Sequence, residues 1–218
     1  IRSIIKSADH YLYEKEIGGY RLNTDFHELK FDLGRMFGFA YGEKENGAVF
    51  SHMAVMYGNA LYRRGYAKEG WKVLKSLSDT ALDFNTSRIY PGIPEYFRSD
   101  GRGMYHYLTG AASWYMLTMV TQVFGVRGEG GDLIIAPKLL AEQFDSQGKA
   151  SIRISFANRT LDVIFENADR KDYGNYTLAS AVCEGRELPV VDNSYGVLSQ
   201  KTLDSLGDGL HSVTIKLI

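Results

Sequence analysis

Three short stretches of the sequence combine residue types that can bind a sugar and an anion. The first is Lys-Glu-Asn-Gly at residues 44–47, with His52 following at the expected start of a helix. The second is the tyrosine- and proline-rich segment 90–97, which leads into Gly-Arg-Gly at 101–103, and the third is segment 109–114. Aromatic faces suit the C–H faces of sugars, while Lys and Glu supply donors and acceptors for sugar hydroxyls. The rings predicted to contact sugar are Tyr96, Phe97 and Tyr105.

An anion pocket is predicted from His52, Thr109 and Gly110. The start of a helix favours an anion through its unpaired amides and its positive dipole end, and a hydroxyl and an imidazole add donors. Read singly, each residue has a structural explanation: His52 as a cap or satisfied partner, Thr109 as an N-cap before a small residue. Lys44 and Glu45 could be a solvated pair worth under ~1 kcal/mol. Together they indicate a carbohydrate site with an anion pocket.

The rest of the sequence argues against several other classes of ligand. Lys and Arg total 25 against 26 for Asp and Glu, so the charge gives no reason to expect nucleic acid or an anionic membrane as partner. No Gly-x-x-x-x-Gly-Lys-Ser/Thr loop is present, which disfavours a nucleotide. No His, Cys and Asp cluster has metal-ligand spacing, so neither a metal nor another cofactor is expected.

At these stretches the sequence closely resembles the cellobiose phosphorylase family, the inverting phosphorylases of glycoside hydrolase family 94. The matching blocks are Gly-Glu-Lys-Glu-Asn-Gly-Ala-Val-Phe-Ser-His at 42–52, Gly-Arg-Gly at 101–103 and Leu-Thr-Gly-Ala-Ala-Ser-Trp at 108–114. Their order and spacing match as well, and the resemblance runs along essentially the whole chain. Segments 19–26 and 51–55 look more similar to the β-1,2-oligoglucan and laminaribiose-type members.

The resemblance implies a role for six residues. It implies phosphate binding by His52, Thr109 and Gly110, sugar contacts by Lys44 and Glu45, and a candidate substrate contact at Arg102. The general acid of the family is an aspartate on an earlier barrel loop, in an Asp-Trp-Asn-Asp-like motif that this chain lacks, as it lacks an upstream phosphate-binding arginine. No catalytic residue is therefore expected within the chain, and the isolated piece is expected to be inactive.

The function implied by the resemblance is phosphorolysis, a glycosyl transfer to inorganic phosphate in carbohydrate metabolism. A β-linked glucan or disaccharide would yield α-glucose 1-phosphate, and phosphate would replace the second carboxylate of an inverting hydrolase. The expected partners are the sugar, phosphate, the upstream remainder of the enzyme and a second copy in a homodimer. Two alternatives stay open: a helical-barrel glycoside hydrolase that uses water, and a non-catalytic carbohydrate-binding module.

The elements that must position these residues change character along the chain. Up to about Gly125 the apolar residues recur at helical spacing, and they predict a helix through 53–61 that ends at Gly65, a second helix over 67–81 and an apolar inner helix over 107–124. After residues 130–131 the spacing is that of strands, notably in 151–156 and 161–165.

The predicted fold class is multidomain α and β. The resemblance implies the terminal helices of an (α/α)6 barrel in residues 1–128, followed by an antiparallel β-sandwich domain in residues 129–218. The amino-terminal residues 1–12 also show helical spacing, as if a helix continued from an upstream segment. The lone Cys183 and the absence of a signal-peptide pattern favour the cytoplasm.

Overall fold

The computed structural model describes residues 1–90, 92–107 and 109–218, and it leaves the side chain of Phe37 undescribed. Pro91 and Leu108, which belong to two of the segments singled out above, lie outside the described residues. The chain divides into two compact units, Ile1–Thr118 and Met119–Ile218. Its content is mixed α and β, with several antiparallel strand pairs.

The first unit contains helices joined by short strands. The helices are α1 (Arg2–Tyr11), α2 (Ser51–Arg63), α3 (Ala67–Leu82), α4 (Phe84–Ser87) and α5 (Gly110–Thr118). The strands are β1 (Tyr13–Glu14), β2 (Gly19–Tyr20), β3 (Val49–Phe50), β4 (Tyr96–Phe97) and β5 (Gly103–Met104). Two turns of 3-10 helix, Phe31–Leu33 and Arg35–Gly38, interrupt the long connection before β3.

Helices α2 and α3 correspond to the helices predicted over 53–61 and 67–81, and together they form a hairpin. Gly65 follows α2 with a φ of 81°, a conformation that favours glycine and ends the helix as predicted. A Cβ on Gly70 would lie 3.1 Å from the Gly58 carbonyl oxygen, so the two helices approach closely at this pair of glycines. Two of the apolar residues in the predicted helix are not in the core, because Met53 and Met56 are 42% and 38% exposed.

Helix α5 is shorter and more exposed than predicted. It covers Gly110–Thr118, and a turn of π-helix follows at Met119–Val123. Within α5 the fully buried residues are Ala111 and Thr118, whereas Met116 is 63% exposed. The prediction of an inner helix surrounded by others is therefore wrong for this chain. Among the described residues, no helix is long and apolar enough to cross a membrane.

The second unit consists mainly of two sheets. Its strands are β6 (Val126–Glu129), β7 (Asp132–Ile135), β8 (Lys149–Phe156), β9 (Arg159–Glu166), β10 (Leu178–Cys183), β11 (Arg186–Glu187), β12 (Val190–Val191), β13 (Tyr195–Leu198) and β14 (Leu210–Leu217). One sheet has the order β11-β10-β14-β9-β8 and the other β12-β13-β7-β6. Helix α6 (Gln200–Ser205) connects β13 to β14, and a 3-10 turn covers Ala141–Gln143.

The alternating pattern of the second half correctly predicts its longest hairpin. Strands β8 and β9 pair antiparallel around a turn in which Ala157 and Asn158 have φ of 49° and 61°. Leu161, Val163 and Phe165 alternate into the core of the unit, each with no exposed surface.

The prediction of a purely antiparallel sandwich needs one correction. Strand β14 pairs with β9 in parallel. It does so because the chain leaves the other sheet after β13 and passes through α6 before it enters between β9 and β10. Such a crossover permits parallel pairing, whereas a tight hairpin would force the antiparallel one.

The division between the units falls within the apolar segment, after Thr118. The sequence instead places the boundary near residues 127–131, where Gly130 and Gly131 form the turn of the β6–β7 hairpin with φ of 61° and 96°. The described helices of the first unit do not close into an (α/α)6 barrel, so that part of the predicted fold stays a proposal.

Candidate functional site

A small three-stranded sheet brings the first two of the three chemically interesting stretches together. Strand β3 follows the 44–47 turn directly and runs into α2, while β4 and β5 flank the Gly-Arg-Gly segment. The strands pair antiparallel in the order β3-β4-β5, with Phe50 opposite Tyr96 and Tyr96 opposite Met104. Residues distant in the sequence therefore lie side by side within the first unit.

The backbone of Glu95 fixes the start of α2 against the end of β5. Its carbonyl oxygen accepts a hydrogen bond from the Ser51 N–H at 2.8 Å. Its own N–H donates to the carbonyl oxygens of Met104 and Tyr105, at 3.1 and 3.3 Å. These bonds hold the first turn of α2 in place without using the side chain of the next residue, His52.

His52 lies directly against Gly110, as the anion-pocket prediction requires. A Cβ built on Gly110 would stand 2.6 Å from Cε1 and 2.7 Å from Nδ1 of the His52 ring, closer than real Cβ contacts allow. The ring also lies 6.0 Å from the Trp114 ring, one turn further along α5. Only glycine at position 110 leaves this space for the imidazole.

Helices α2 and α5 run in the same direction from this point. His52 meets Gly110 at their first turns, and further along the Asn59 amide donates to the Thr118 hydroxyl at 3.0 Å in a buried hydrogen bond. The spacings from 52 to 59 and from 110 to 118 correspond to similar rises of about 11 Å. Both amino-terminal ends, with their positive partial charges and with amides that have no partner within their own helix, therefore point to one place.

Thr109 caps the start of α5. Its hydroxyl oxygen accepts a hydrogen bond from the Ala111 N–H at 3.3 Å. A hydroxyl has one proton to donate in addition to its acceptor sites. The structural and functional interpretations of Thr109 are thus compatible, since the capping oxygen can still donate to an anion.

Buried polar atoms without a protein hydrogen-bond partner cluster around the start of α2. Among the described residues they include Glu45 Oε2, Ser51 Oγ and His52 Nε2, which fall within eight positions of the chain. Buried polar atoms in proteins are nearly always hydrogen-bonded, so each such atom calls for an explanation. The start of α2 therefore holds polar atoms that the described residues leave unsatisfied.

Lys44 and Glu45 form the centre of a tight turn. The Gly42 N–H donates to the Asn46 carbonyl at 2.7 Å, and Lys44 adopts a φ of 48°. The Lys44 ammonium lies 5.0 Å from the centre of the Tyr105 ring, and its hydrogen bond with Tyr105 raises the pKa of Lys44. Lys44 is therefore a permanent cation at neutral pH.

Arg21 and Asn23 support this turn, although no sequence motif predicts a role for them. Arg21 donates to the Gly47 carbonyl at 2.7 Å and pairs with Glu14 at 3.1 Å. Asn23 accepts from the Gly47 N–H at 2.9 Å and donates to the Asn46 side chain at 3.2 Å. Both belong to segment 19–26, whose sequence indicates only a subfamily resemblance.

Tyr96 and Phe97 do not present faces to a sugar, contrary to the prediction. They are 2% and 0% exposed, because their strand is central in the three-stranded sheet. The Tyr96 hydroxyl instead donates to Glu43 at 3.1 Å, and Glu43 also pairs with Arg98 at 3.3 Å. Burial and this hydrogen bond raise the pKa of Tyr96 to about 12. Tyr105, the third predicted ring, stays partly accessible.

Of the six candidates, Arg102 borders a pocket of its own. It lines an open pocket of about 650 Å³ formed by Asn85, Thr86, Arg88, Asp100 and Arg102, to which none of the other candidates contributes. The structure thus brings His52, Thr109 and Gly110 together and does not join Arg102 to them. In the described part of the chain, no group of three or more His, Cys, Asp or Glu side chains could hold a metal ion.

Comparison with known proteins finds similarity to two carbohydrate-related proteins. The chain is 29% identical over 126 residues to cellobionic acid phosphorylase of Neurospora crassa, an alignment that covers 51% of this chain and 16% of that protein. It is 28% identical over 123 residues to the cyclic β-(1,2)-glucan synthase NdvB of Rhizobium meliloti, over 52% of this chain and 4% of that protein. No family model matches the chain. The chain spans less than a fifth of the length of either relative, and the similarity indicates a phosphorylase-like class of protein.

Proposed function

We propose that this chain is the carboxyl-terminal part of an inverting glycoside phosphorylase of the cellobiose phosphorylase family. The reaction would cleave a β-linked glucan or disaccharide with inorganic phosphate and release α-glucose 1-phosphate. The similarity to a protein named as a phosphorylase supports the reaction class. The similarity to a protein named as a β-(1,2)-glucan synthase supports a β-linked glucan as the substrate class.

The observation that carries the proposal is the contact between His52 and Gly110 at the paired starts of α2 and α5. Two parallel helices direct their positive ends to one place, where the buried His52 Nε2 has no partner among the described protein groups. An anion with several acceptor oxygens suits this arrangement, because amides, a hydroxyl and an imidazole can all donate to it.

In the proposed reaction, phosphate is both the nucleophile and the ligand of this pocket. The Thr109 hydroxyl, the Gly110 N–H and His52 would orient it for in-line attack on the anomeric carbon. Attack from the face opposite the leaving oxygen inverts the configuration, so a β-linked donor gives an α-phosphate. Orientation of this kind can lower a barrier by several kcal/mol.

Lys44 and Glu45 would hold the sugar beside the phosphate. Lys44 is held against Tyr105 as a cation, and Glu45 has one oxygen 3.7 Å from Arg35 and the other buried without a partner among the described residues. A sugar hydroxyl can both accept and donate a hydrogen bond, so an ammonium donor and a carboxylate acceptor suit it together. Arg102 would contact substrate only if the donor extends as far as its open pocket.

The general acid, an aspartate, would come from an upstream barrel that precedes this chain in a cytoplasmic, homodimeric enzyme without a further cofactor.

The expected products distinguish the proposed phosphorylase from a hydrolase and from a binding module. The complete protein should release α-glucose 1-phosphate from a β-linked gluco-oligosaccharide only when phosphate is present. Release of free glucose without phosphate would indicate a hydrolase, and sugar binding without turnover in either condition would indicate a binding module. Either outcome would overturn the proposal.

A further inference from the structure

All three tyrosines of the second unit line one groove. The residues from Met119 to Ile218 contain Tyr173, Tyr176 and Tyr195, and each of them borders a cavity of about 430 Å³. This volume lies within the range of pockets that bind small ligands. We call it the tyrosine groove, and its remaining lining includes Lys138, Thr177, Asp192, Asn193 and Ser194.

Hydrogen bonds hold the walls of the tyrosine groove in place. The Tyr176 hydroxyl accepts from the Leu139 N–H at 2.9 Å and donates to the Pro137 carbonyl at 3.2 Å, so its ring cannot swing. The Tyr173 N–H donates to the Leu139 carbonyl, also at 2.9 Å, and fixes the neighbouring wall. A groove built in this way is largely formed before a ligand arrives, which lowers the cost of binding.

The opposite wall is equally well defined. The Leu178 N–H donates to the Asn193 carbonyl at 2.8 Å, which ties the start of β10 to the turn between β12 and β13. Asp192 and Asn193 adopt φ of 49° and 50°, and both side chains are exposed. This conformation leaves a carboxylate and an amide at the rim of the tyrosine groove.

The chemistry of the lining favours a neutral polyhydroxylated ligand. Two ring systems, Tyr173 and Tyr195, are half-buried, and the Tyr173 ring lies 6.2 Å from that of Tyr176 at 72°. The rim carries one cation, Lys138, and one anion, Asp192, so it offers no net charge to an anionic ligand. Aromatic faces bordered by amide, carboxylate and hydroxyl groups match the C–H faces and hydroxyls of a sugar.

We propose that the tyrosine groove binds a neutral saccharide chain. This site lies entirely in the second unit and is separate from the His52 and Gly110 site of the first. The proposal does not depend on phosphorolysis, because it requires neither phosphate nor the upstream general acid. It gives the second unit a function of its own, the capture of oligosaccharide.

Binding can be tested with the 218-residue chain in phosphate-free buffer. Neutral gluco-oligosaccharides with β-1,2, β-1,3 and β-1,4 linkages are titrated while backbone amide resonances are followed by NMR. At least one of the three should shift the Gly174, Thr177 and Asn193 amides in a saturable manner. Unchanged resonances at these positions with all three sugars would overturn the proposal, as would shifts confined to His52 and Gly110.

Three variants make the test specific. Tyr195→Ala should weaken binding by about tenfold, and Asn193→Gly, which retains the positive φ, should weaken it by a smaller factor. Tyr11→Ala, which removes a 65% exposed tyrosine from the first unit, should bind as the wild type does. If Tyr195→Ala fails to fold, Asn193→Gly decides the question. Wild-type affinity in a folded groove variant would contradict the assignment.

Discussion

The two units differ in how they treat buried polar groups near their candidate binding surfaces. At the start of α2, Glu45, Ser51 and His52 each keep a buried polar atom for which the described residues provide no partner. In the second unit, the Tyr176 hydroxyl makes two hydrogen bonds and its burial raises the pKa of that phenol. The first surface therefore contains buried polar atoms without partners among the described residues. At the second surface the buried phenol is hydrogen-bonded, and rings and rim groups are available for a ligand.

This difference suggests two kinds of recognition. An incomplete polar pocket gains most from a small ligand that supplies the missing partners, and an anion suits two converging helix starts. The tyrosine groove, whose wall hydrogen bonds are already formed, would gain binding energy from ring contacts with a ligand and from a few hydrogen bonds at its rim. Substitutions in the two regions should therefore have different effects.

The largest effect is expected from His52→Ala in the complete enzyme. Loss of a preorganised donor to the reacting anion should lower the kcat/KM for phosphate by about 10²–10³-fold. The assay is release of sugar phosphate over a range of phosphate concentrations. His10→Ala, an exposed histidine of α1, is the matched control and should retain wild-type rates. Retention of wild-type phosphorolysis by His52→Ala would count against the assignment.

Gly110→Ala should come next. The new Cβ would meet the His52 ring at 2.6 Å, so the imidazole must move away from its present position. Small displacements of positioning groups are costly, and we expect at least a tenfold loss in kcat/KM for phosphate, that is about 1.4 kcal/mol. The control is Gly207→Ala, where an added Cβ meets nothing within 4 Å and φ is not positive. Equal activity of both variants would remove the steric argument.

Asn59→Ala tests whether the parallel arrangement of α2 and α5 is held from its far end. The substitution leaves the buried Thr118 hydroxyl without its partner and should lower the free energy of unfolding by about 1–3 kcal/mol. Denaturant unfolding of the 218-residue chain measures this. The double variant Asn59→Ala with Thr118→Val should recover part of the loss, since neither polar group is then left unpaired. No recovery would mean that the hydrogen bond does not couple the helices.

The smallest effects concern pH. Burial raises the pKa of Asp9, but its hydrogen bonds with Lys72 and Tyr20 outweigh this and leave the pKa below the usual 3.8. Because folding lowers this pKa, its stabilisation is present above pH 3.8 and is lost as the pH falls through the lower folded value. Asp9→Asn should therefore cost under about 1 kcal/mol at pH 7 and flatten acid unfolding. The second unit contains a comparable carboxylate, Asp162. Its hydrogen bond with Arg153 lowers the pKa of Asp162.

Asp162→Asn should flatten acid unfolding less than Asp9→Asn, because Asp162 has one charged partner on an open strand pair whereas Asp9 also satisfies the Tyr20 hydroxyl. Acid titrations followed by circular dichroism would measure both slopes. A larger change for Asp162→Asn would reverse the comparison.

Sequence reasoning predicted the regular elements better than the support of the site. The α2–α3 hairpin and the β8–β9 hairpin follow from local periodicity and from turn residues such as Gly65 and Asn158. The burial of Tyr96 could not be read in this way, because it depends on pairing with β3 and β5 from distant parts of the chain. The supporting roles of Arg21 and Asn23 likewise arise from backbone contacts more than 20 positions away.

Phosphate binding at His52 and Gly110 is tested most directly by titrating the 218-residue chain with inorganic phosphate while NMR follows the backbone amides and the histidine side chains. We expect saturable shifts of the amide at position 110 and of the His52 imidazole, and we expect Gly110→Ala to abolish both. Shifts confined to the open pocket of Arg88 and Arg102, or no saturable shift at Gly110, would contradict it.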